Sequence, residues 1–372
     1  MWVRAGSLFV AAIVVAVPLA VEGRRVDPEA RTVMAWVSTD PANWPTCRDF
    51  LTTGAAKGTV NAISIDNLYT FHPENGTLSR DSGGATIAAQ QKVWASDFRL
   101  YPMIGYGGNV TGLHQLFAAP EAFIATLVKD AIEFDWAGIN IDFEPSTDMD
   151  DSDPRSNPSI EDALALAVLL DKLGAALHAV NKTVSVDTMS AQGACWGQWH
   201  HADGSHGVDP KPCPWIRRFW DLDALSSVRH LDKLISMDTY LLQPIRLCIF
   251  PSSGNRRTGR NRYTENNTEY PLDLNLNQLY FPIERFGVGL CPLGCGHPQP
   301  TEHCVGQRIA AAVMYGATEI DLWSMWDSSA ANWSVVEAAW QPWIKPLRRY
   351  LAGQDEPFTE HCWDQNGRND VR

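Results

Sequence analysis

Positive charge is scarce in this chain: 30 Lys and Arg stand against 43 Asp and Glu, a formal net charge of −13 over 372 residues. So acidic a protein is repelled by nucleic acid and by anionic membrane surfaces, and it suits a neutral or cationic ligand. Long apolar runs are missing beyond residue 21. Nothing later approaches the roughly 20 apolar residues of a membrane-spanning helix, and the polar C-terminal stretch carries no lipid-anchor signal. No Gly-rich phosphate loop follows the first strand-like segment, which argues against a doubly wound dinucleotide-binding sheet. Metal motifs are lacking too. Asp148, Asp150, Asp151 and Asp153 occur without the turn glycine and the correctly spaced Glu of a calcium loop, and His200, His201 and His206 lack the spacing of a helical metal site. The expectation is a protein with no metal, no cofactor and no nucleic-acid partner, and a monomer.

What the chain does have points to the secretory route. Residues 1–23 read as a cleaved signal: Arg4, an apolar run from Ala5 to Val21 broken by Pro18, then Glu22, Arg24 and Arg25. Once it is removed, no membrane attachment is expected. Asn-x-Ser/Thr acceptors for N-glycosylation occur at Asn75, Asn109, Asn181, Asn266 and Asn332. The eight cysteines are an even number, read in an oxidising compartment as disulfides. Cys195 is expected to pair with Cys213, and Cys304 with Cys291 or Cys295. The alternative is a zinc cluster of Cys291, Cys295, His297, His303 and Cys304. The 15 Trp and 9 Tyr supply flat apolar faces suited to sugar rings as well as to a core.

Along the chain, β-rich segments alternate with helical ones. Strands are expected at 33–37, 59–66, 100–106, 137–144, 183–189, 233–240, 286–291 and 319–325. Helical stretches intervene at 84–98, 120–135, 159–180 and 301–317, and another closes the pattern at 330–351. In the third of these Ile160, Leu164, Ala167, Val168 and Leu177 recur at helical spacing, behind Ser159 as N-cap and the first-turn acids Glu161 and Asp162. Eight strand–helix units in one domain, residues 24–352, predict an α/β (β/α)8 TIM barrel, followed by a tail at 353–372. Such barrels place their chemistry where strands end. Long loops follow the fourth, fifth and sixth strands.

The segment "AGINIDFEP" carries the chemistry. With period two, Ile139, Ile141 and Phe143 share one face and Asn140, Asp142 and Glu144 the other. In a barrel the apolar row packs on the helices, so the polar row points inward, which is costly unless it is hydrogen-bonded or used on a ligand. Glu144 is last, ahead of Pro145, which helps to end the strand. Asp142 lies one layer deeper, and a neighbouring acid in a desolvated site favours keeping Glu144 protonated, ready to act as a general acid. The competing reading is a buried carboxylate pair that merely closes a strand.

"GINIDFE" resembles the fourth-strand signature of glycoside hydrolase family 18, DGxDxDxE, and is similar to the DGINIDIE form of its chitobiase-like branch. Gly138 matches the motif glycine, Asp142 the second inner acid and Glu144 the catalytic acid. Ala137 replaces the leading Asp, and Asn140 the first inner one. "IGYGGN" resembles the SxGG motif with Gly105 in place of Ser, "VSVDTMS" the fifth strand with Asp187 facing the pocket, and "LDKLISMDTY" the sixth. There the family pattern is Met-x-Tyr-Asp. Either Tyr240 serves after a one-residue shift, or Asp238 and Tyr240 have exchanged places. "IDLWSMW" resembles the eighth strand, with Trp323 or Trp326 flooring the sugar subsite. The resemblance implies a secreted or lysosomal glycosidase acting on β-1,4-linked N-acetylglucosamine, in chitin oligosaccharides or the chitobiose core of N-glycans. Glu144, Asp142 and Tyr240 would be catalytic, and Asn140, Asp187, Asp238, Trp323 and Trp326 would bind substrate. The alternative is a catalytically silent chitinase-like lectin.

Overall fold

The computed structural model describes residues 30–37, 40–145, 158–188, 219–220, 224–225, 227–237, 285–293, 299–325 and 332–359. Eight parallel strands close on themselves: β1 (Thr32–Val37), β2 (Ala62–Ile65), β5 (Arg99–Tyr106), β6 (Gly138–Phe143), β7 (Thr183–Thr188), β8 (Lys233–Ser236), β9 (Phe286–Leu290) and β10 (Glu319–Leu322). The last strand pairs with the first, Thr32 opposite Glu319 and Ala35 opposite Leu322. This is the expected (β/α)8 barrel, with each expected strand segment contributing one stave.

Alternation explains the layering. Val33, Ile63, Ile139, Val184 and Ile320 point outward into one continuous apolar layer shared with the helices. Met34, Trp36, Ala62, Met103 and Ile235 point inward and form a small separate cluster, with Tyr101 and Trp323 against it. The helices are α1 (Trp44–Thr52), α2 (Ala85–Trp94), α3 (His114–Ala118), α4 (Glu121–Glu133), α5 (Ile160–His178), α6 (Glu302–Tyr315) and α7 (Trp333–Leu351). α5 begins with a capping box, in which Ser159 caps the Asp162 amide and the Asp162 carboxylate accepts from the Ser159 amide at 2.8 Å.

Two features depart from the expectation. The α5 stripe is rotated: Ala167 and Leu177 are buried, but Ile160, Leu164 and Val168 are exposed. Leu166, Leu170, Leu173 and Leu177 form a second apolar row on the same helix, and this row meets the barrel. A hairpin, β3 (Tyr69–His72) and β4 (Thr77–Arg80), also interrupts the β2-to-α2 connection. Its ring of Phe71 sits 5.2 Å from Tyr106 and 6.3 Å from Phe143. At its base, the Tyr69 hydroxyl donates to Asp130 at 2.7 Å, and Arg80 bonds both Asp130 and Glu133.

The ends of the described chain meet. Arg31 is 2% exposed and donates to the Tyr350 carbonyl at 2.6 Å and to both oxygens of Asp355. Beyond α7, the Thr359 amide donates to Gln307 of α6 at 2.7 Å. Of the cysteines, Cys291 and Cys304 are each disulfide-bonded, neither pairing lying within the described residues, whereas Cys47 is a buried free thiol, pushed up to about 12 by burial. Cys195, Cys213 and Cys295 lie outside the described residues. Among the described residues no helix is long and apolar enough to cross a membrane, and no cluster of His, Cys, Asp or Glu could hold a metal.

Candidate active site

The acid row is built by β6. Ile139, Ile141 and Phe143 are wholly buried on the outer side, so the strand has one orientation and its polar row must face in. The register continues past the strand, because the Glu144 amide donates to the Tyr106 carbonyl at 2.8 Å. Gly138 sets the spacing at the base: a Cβ there would come within 2.4 Å of the Thr183 hydroxyl and 2.5 Å of its carbonyl. Only glycine lets β6 and β7 approach that closely.

On the β5 side, Gly105 is level with Asp142 and is exposed, so no side chain roofs the acid there. The following loop folds back over Tyr106, whose hydroxyl donates to the Asn109 carbonyl at 2.7 Å. Gly108 and Gly112 leave the room that ring occupies. The "IGYGGN" segment therefore puts no side chain against Asp142 from the β5 side.

Asn140 is fully buried and held on three sides. Its oxygen accepts from the Trp36 indole at 3.4 Å, and its amide donates to Ser185 at 3.0 Å and to Asp187 at 3.1 Å. One layer up, Asp142 is 7% exposed and hydrogen-bonded to Glu144. Its Oδ1 is buried, and no N–H or hydroxyl of the described residues donates to it. Burial first, then the charges of Glu144 and Asp66, push the Asp142 carboxyl well above the usual carboxylate range. Glu144 is exposed as a residue, yet burial is also the main cause raising its carboxyl, and the hydrogen bond to Asp142 works the other way. The two observations agree if the carboxyl end is turned into the barrel toward Asp142. Two adjacent carboxyls raised in this way favour holding a proton between them, as acid catalysis needs.

The remaining expected residues divide. Asp187 faces the interior, one step beyond the Ile141–Val186 pair and so level with Asp142, but is only 1% exposed. Trp323 is half-buried at the barrel interior, edge-on to Trp36 at 5.8 Å. Tyr240, Asp238 and Trp326 lie outside the described residues, as does Asn266. Asn75, Asn109, Asn181 and Asn332 are all exposed.

Sequence reading missed Asp66, which follows β2 and acts on Asp142, and Asp321 of β10, which is fully buried and acts on Asp187. Both stand in the same alternating pattern that exposed Asp142, in "AISID" and "EIDLW". Gly287 makes room for Asp321, since a Cβ there would lie 2.5 Å from its Oδ2. Burial, then Glu319 and Asp187, push Asp321 well up, and Lys233 opposes them. Lys233 is itself engaged, 3.3 Å from Glu319.

No protein-family model matches the chain, and no curated protein matches it. Solved structures do. A chitinase from Chromobacterium violaceum aligns over 84% of this chain and 99% of its own at 16% identity, with a TM-score of 0.51. Catalytic domain 2 of the Ostrinia furnacalis Group II chitinase aligns over 90% and 99% at 10% identity, TM-score 0.55. The Group IV chitinase of the same insect, in complex with allosamidin, aligns over 88% and 100% at 11% identity, TM-score 0.52. The chain shares the barrel fold of these chitinases.

Proposed function

We propose that the chain is a glycoside hydrolase of the chitinase type, which cleaves β-1,4-linked N-acetylglucosamine with retention. The observation that carries this reading is the hydrogen-bonded Asp142–Glu144 pair at the C-terminal end of β6 in a closed barrel. Fold likeness to chitinases, one of them in complex with allosamidin, supports the substrate class.

In the reaction, the Glu144 carboxyl gives its proton to the glycosidic oxygen as the bond to the anomeric carbon breaks. The 2-acetamido carbonyl oxygen of the same sugar attacks that carbon, forming a cyclic oxazolinium. This substrate-assisted route departs from the usual pair of enzyme carboxylates, one of which is a nucleophile. The Asp142 carboxylate accepts from the acetamide N–H and stabilises the positive charge. Tyr240 would hydrogen-bond the acetamide oxygen. The Glu144 carboxylate then takes a proton from the water that opens the ring, which restores the enzyme. Trp323 supports the apolar face of the sugar.

The chitobiase-like branch is the finer assignment, resting on Asn140 in the motif. Delivery through the secretory pathway belongs to the same proposal. At Asn75 and Asn109 the side-chain oxygen accepts from the hydroxyl two residues on, at 2.7 and 3.0 Å, so each acceptor turn is exposed and formed.

The test is hydrolysis of a fluorogenic N-acetylglucosamine oligomer series by the wild type and by Glu144→Gln. Turnover by the wild type alone is expected. Binding without turnover in both would establish a lectin instead, and equal turnover in both would remove Glu144 from the mechanism.

A further inference from the structure

Of the interior acids that the mechanism above does not use, Asp187 is the one set beside Asp142. β6 and β7 run in parallel with Asn140 opposite Ser185 and Ile141 opposite Val186, so the next step sets Asp142 beside Asp187. Neighbouring strands lie about 4.8 Å apart, and both side chains point inward. Two ionised carboxylates this close, 7% and 1% exposed, repel strongly in a medium that solvates neither.

Among the described residues, the other groups facing Asp187 do not relieve that repulsion. Glu144 stands above Asp142 at the rim; Glu319 and Asp321 face it from β10. From β8, Lys233 is bound to Glu319 and to the Thr318 hydroxyl. Ser185 and Asn140 are uncharged, and Asn140 settles which Asp187 oxygen is which. Its amide donates to Oδ1, so in the neutral acid Oδ1 would be the carbonyl acceptor and the proton would sit on Oδ2. Beside it, Asp142 presents a buried Oδ1 that receives no N–H or hydroxyl among the described residues.

We propose that Asp187 is a positioning residue: it stays a neutral carboxylic acid and turns its proton toward Asp142 Oδ1, so that the negative charge of the pair rests on Asp142. This rests on the hydrolase reading, in which Asp142 must be an anion when the oxazolinium forms. Asn140 and Asp187 together do this work, Asn140 by fixing the orientation and Asp187 by supplying the donor. Burial and the charge of Asp142, opposed by the Asn140 hydrogen bond, raise the Asp187 carboxyl well above its usual range, in agreement with the neutral form.

Two readouts test it. The infrared difference spectrum of wild type minus Asp187→Asn near pH 6 is expected to show the carbonyl stretch of a protonated carboxylic acid that shifts in D2O. In kinetics, Asp187→Leu removes the donor; it is expected to lower kcat by roughly 100-fold and to move the acid limb of the kcat/KM profile to higher pH, because Asp142 then ionises less readily. Asp187→Asn, whose amide donates in the same place, is expected to return that limb toward its wild-type position and recover most of the loss. An ionised carboxylate in place of the acid band, or equal losses with unmoved limbs in both variants, overturns the proposal. If the wild type hydrolyses no N-acetylglucosamine oligomer, the function proposed above fails, while the infrared spectrum still decides the state of Asp187.

Discussion

Inside the barrel acids face acids, and outside it they face bases. Asp142, Glu144, Asp187 and Asp321 share one enclosed space, and burial raises all four. On the outer shell Asp97 holds Arg48 at 2.8 Å and Ser96 at 2.7 Å, Asp130 holds Arg80, and Asp355 holds Arg31. Residue type is the same in both regions; what differs is whether each carboxylate is given an arginine. The outer acids serve folding, and the inner ones are held away from their preferred charge state, as a site that must move protons requires.

The comparison can be broken at several points, and the largest effect is expected at its centre. Glu144→Gln removes the transferable proton and should lower kcat by about 10²- to 10⁴-fold with little change in KM for the oligomer, measured by steady-state kinetics. Next comes the outer shell. Arg31→Met leaves Asp355 and the Tyr350 carbonyl without their donor, and urea unfolding should show a loss of about 3 kcal/mol with turnover per folded molecule retained. Gly138→Ala strikes where the regions meet. Its methyl group would press on Thr183, so about 2 kcal/mol of stability should be lost, and activity should fall with it because the acid row shifts.

The smallest effects are the most discriminating, because they have opposite signs. The serine and arginine hydrogen bonds lower the Asp97 carboxyl. Its contribution is therefore present above the unfolded value of about 3.9 and is lost as pH falls through the depressed folded value. Asp97→Asn should lower Tm at pH 7 and converge with the wild type in strong acid. Asp321 is raised, so the unfolded chain ionises first and stability is lost as pH rises from the unfolded value toward the folded one. Asp321→Asn should raise Tm at pH 7 and leave it unchanged in acid. Thermal melts across pH check both, and a common sign for the two variants would dissolve the distinction between the regions.

Much of the barrel could be read in advance because its rule is local. "GINIDF" alternates, and alternation alone sends Asp142 inward. Eight such segments, each followed by helical spacing or a long loop, imply closure. The hairpin is hard to read because its strands are four residues each, and its turn signal Asn75-Gly76 is also part of a glycan acceptor. α5 is ambiguous because an apolar residue stands on nearly every face, so periodicity offers two stripes, and the barrel takes Leu166, Leu170 and Leu173. Asp66 and Asp321 sat in plain alternating strands. What sequence could not supply was adjacency: closing β10 on β1 and laying β7 beside β6 are long-range events, and they decide which acids meet.

The clasp at Arg31 has a consequence for engineering. Since residues 31 and 355 touch through a buried guanidinium and β1 is zipped to β10, the ring has no structurally privileged first strand. A short bridge between the two ends would let the chain be reopened elsewhere, for instance at the exposed turn around Glu74, to give a circular permutant with the same order of staves.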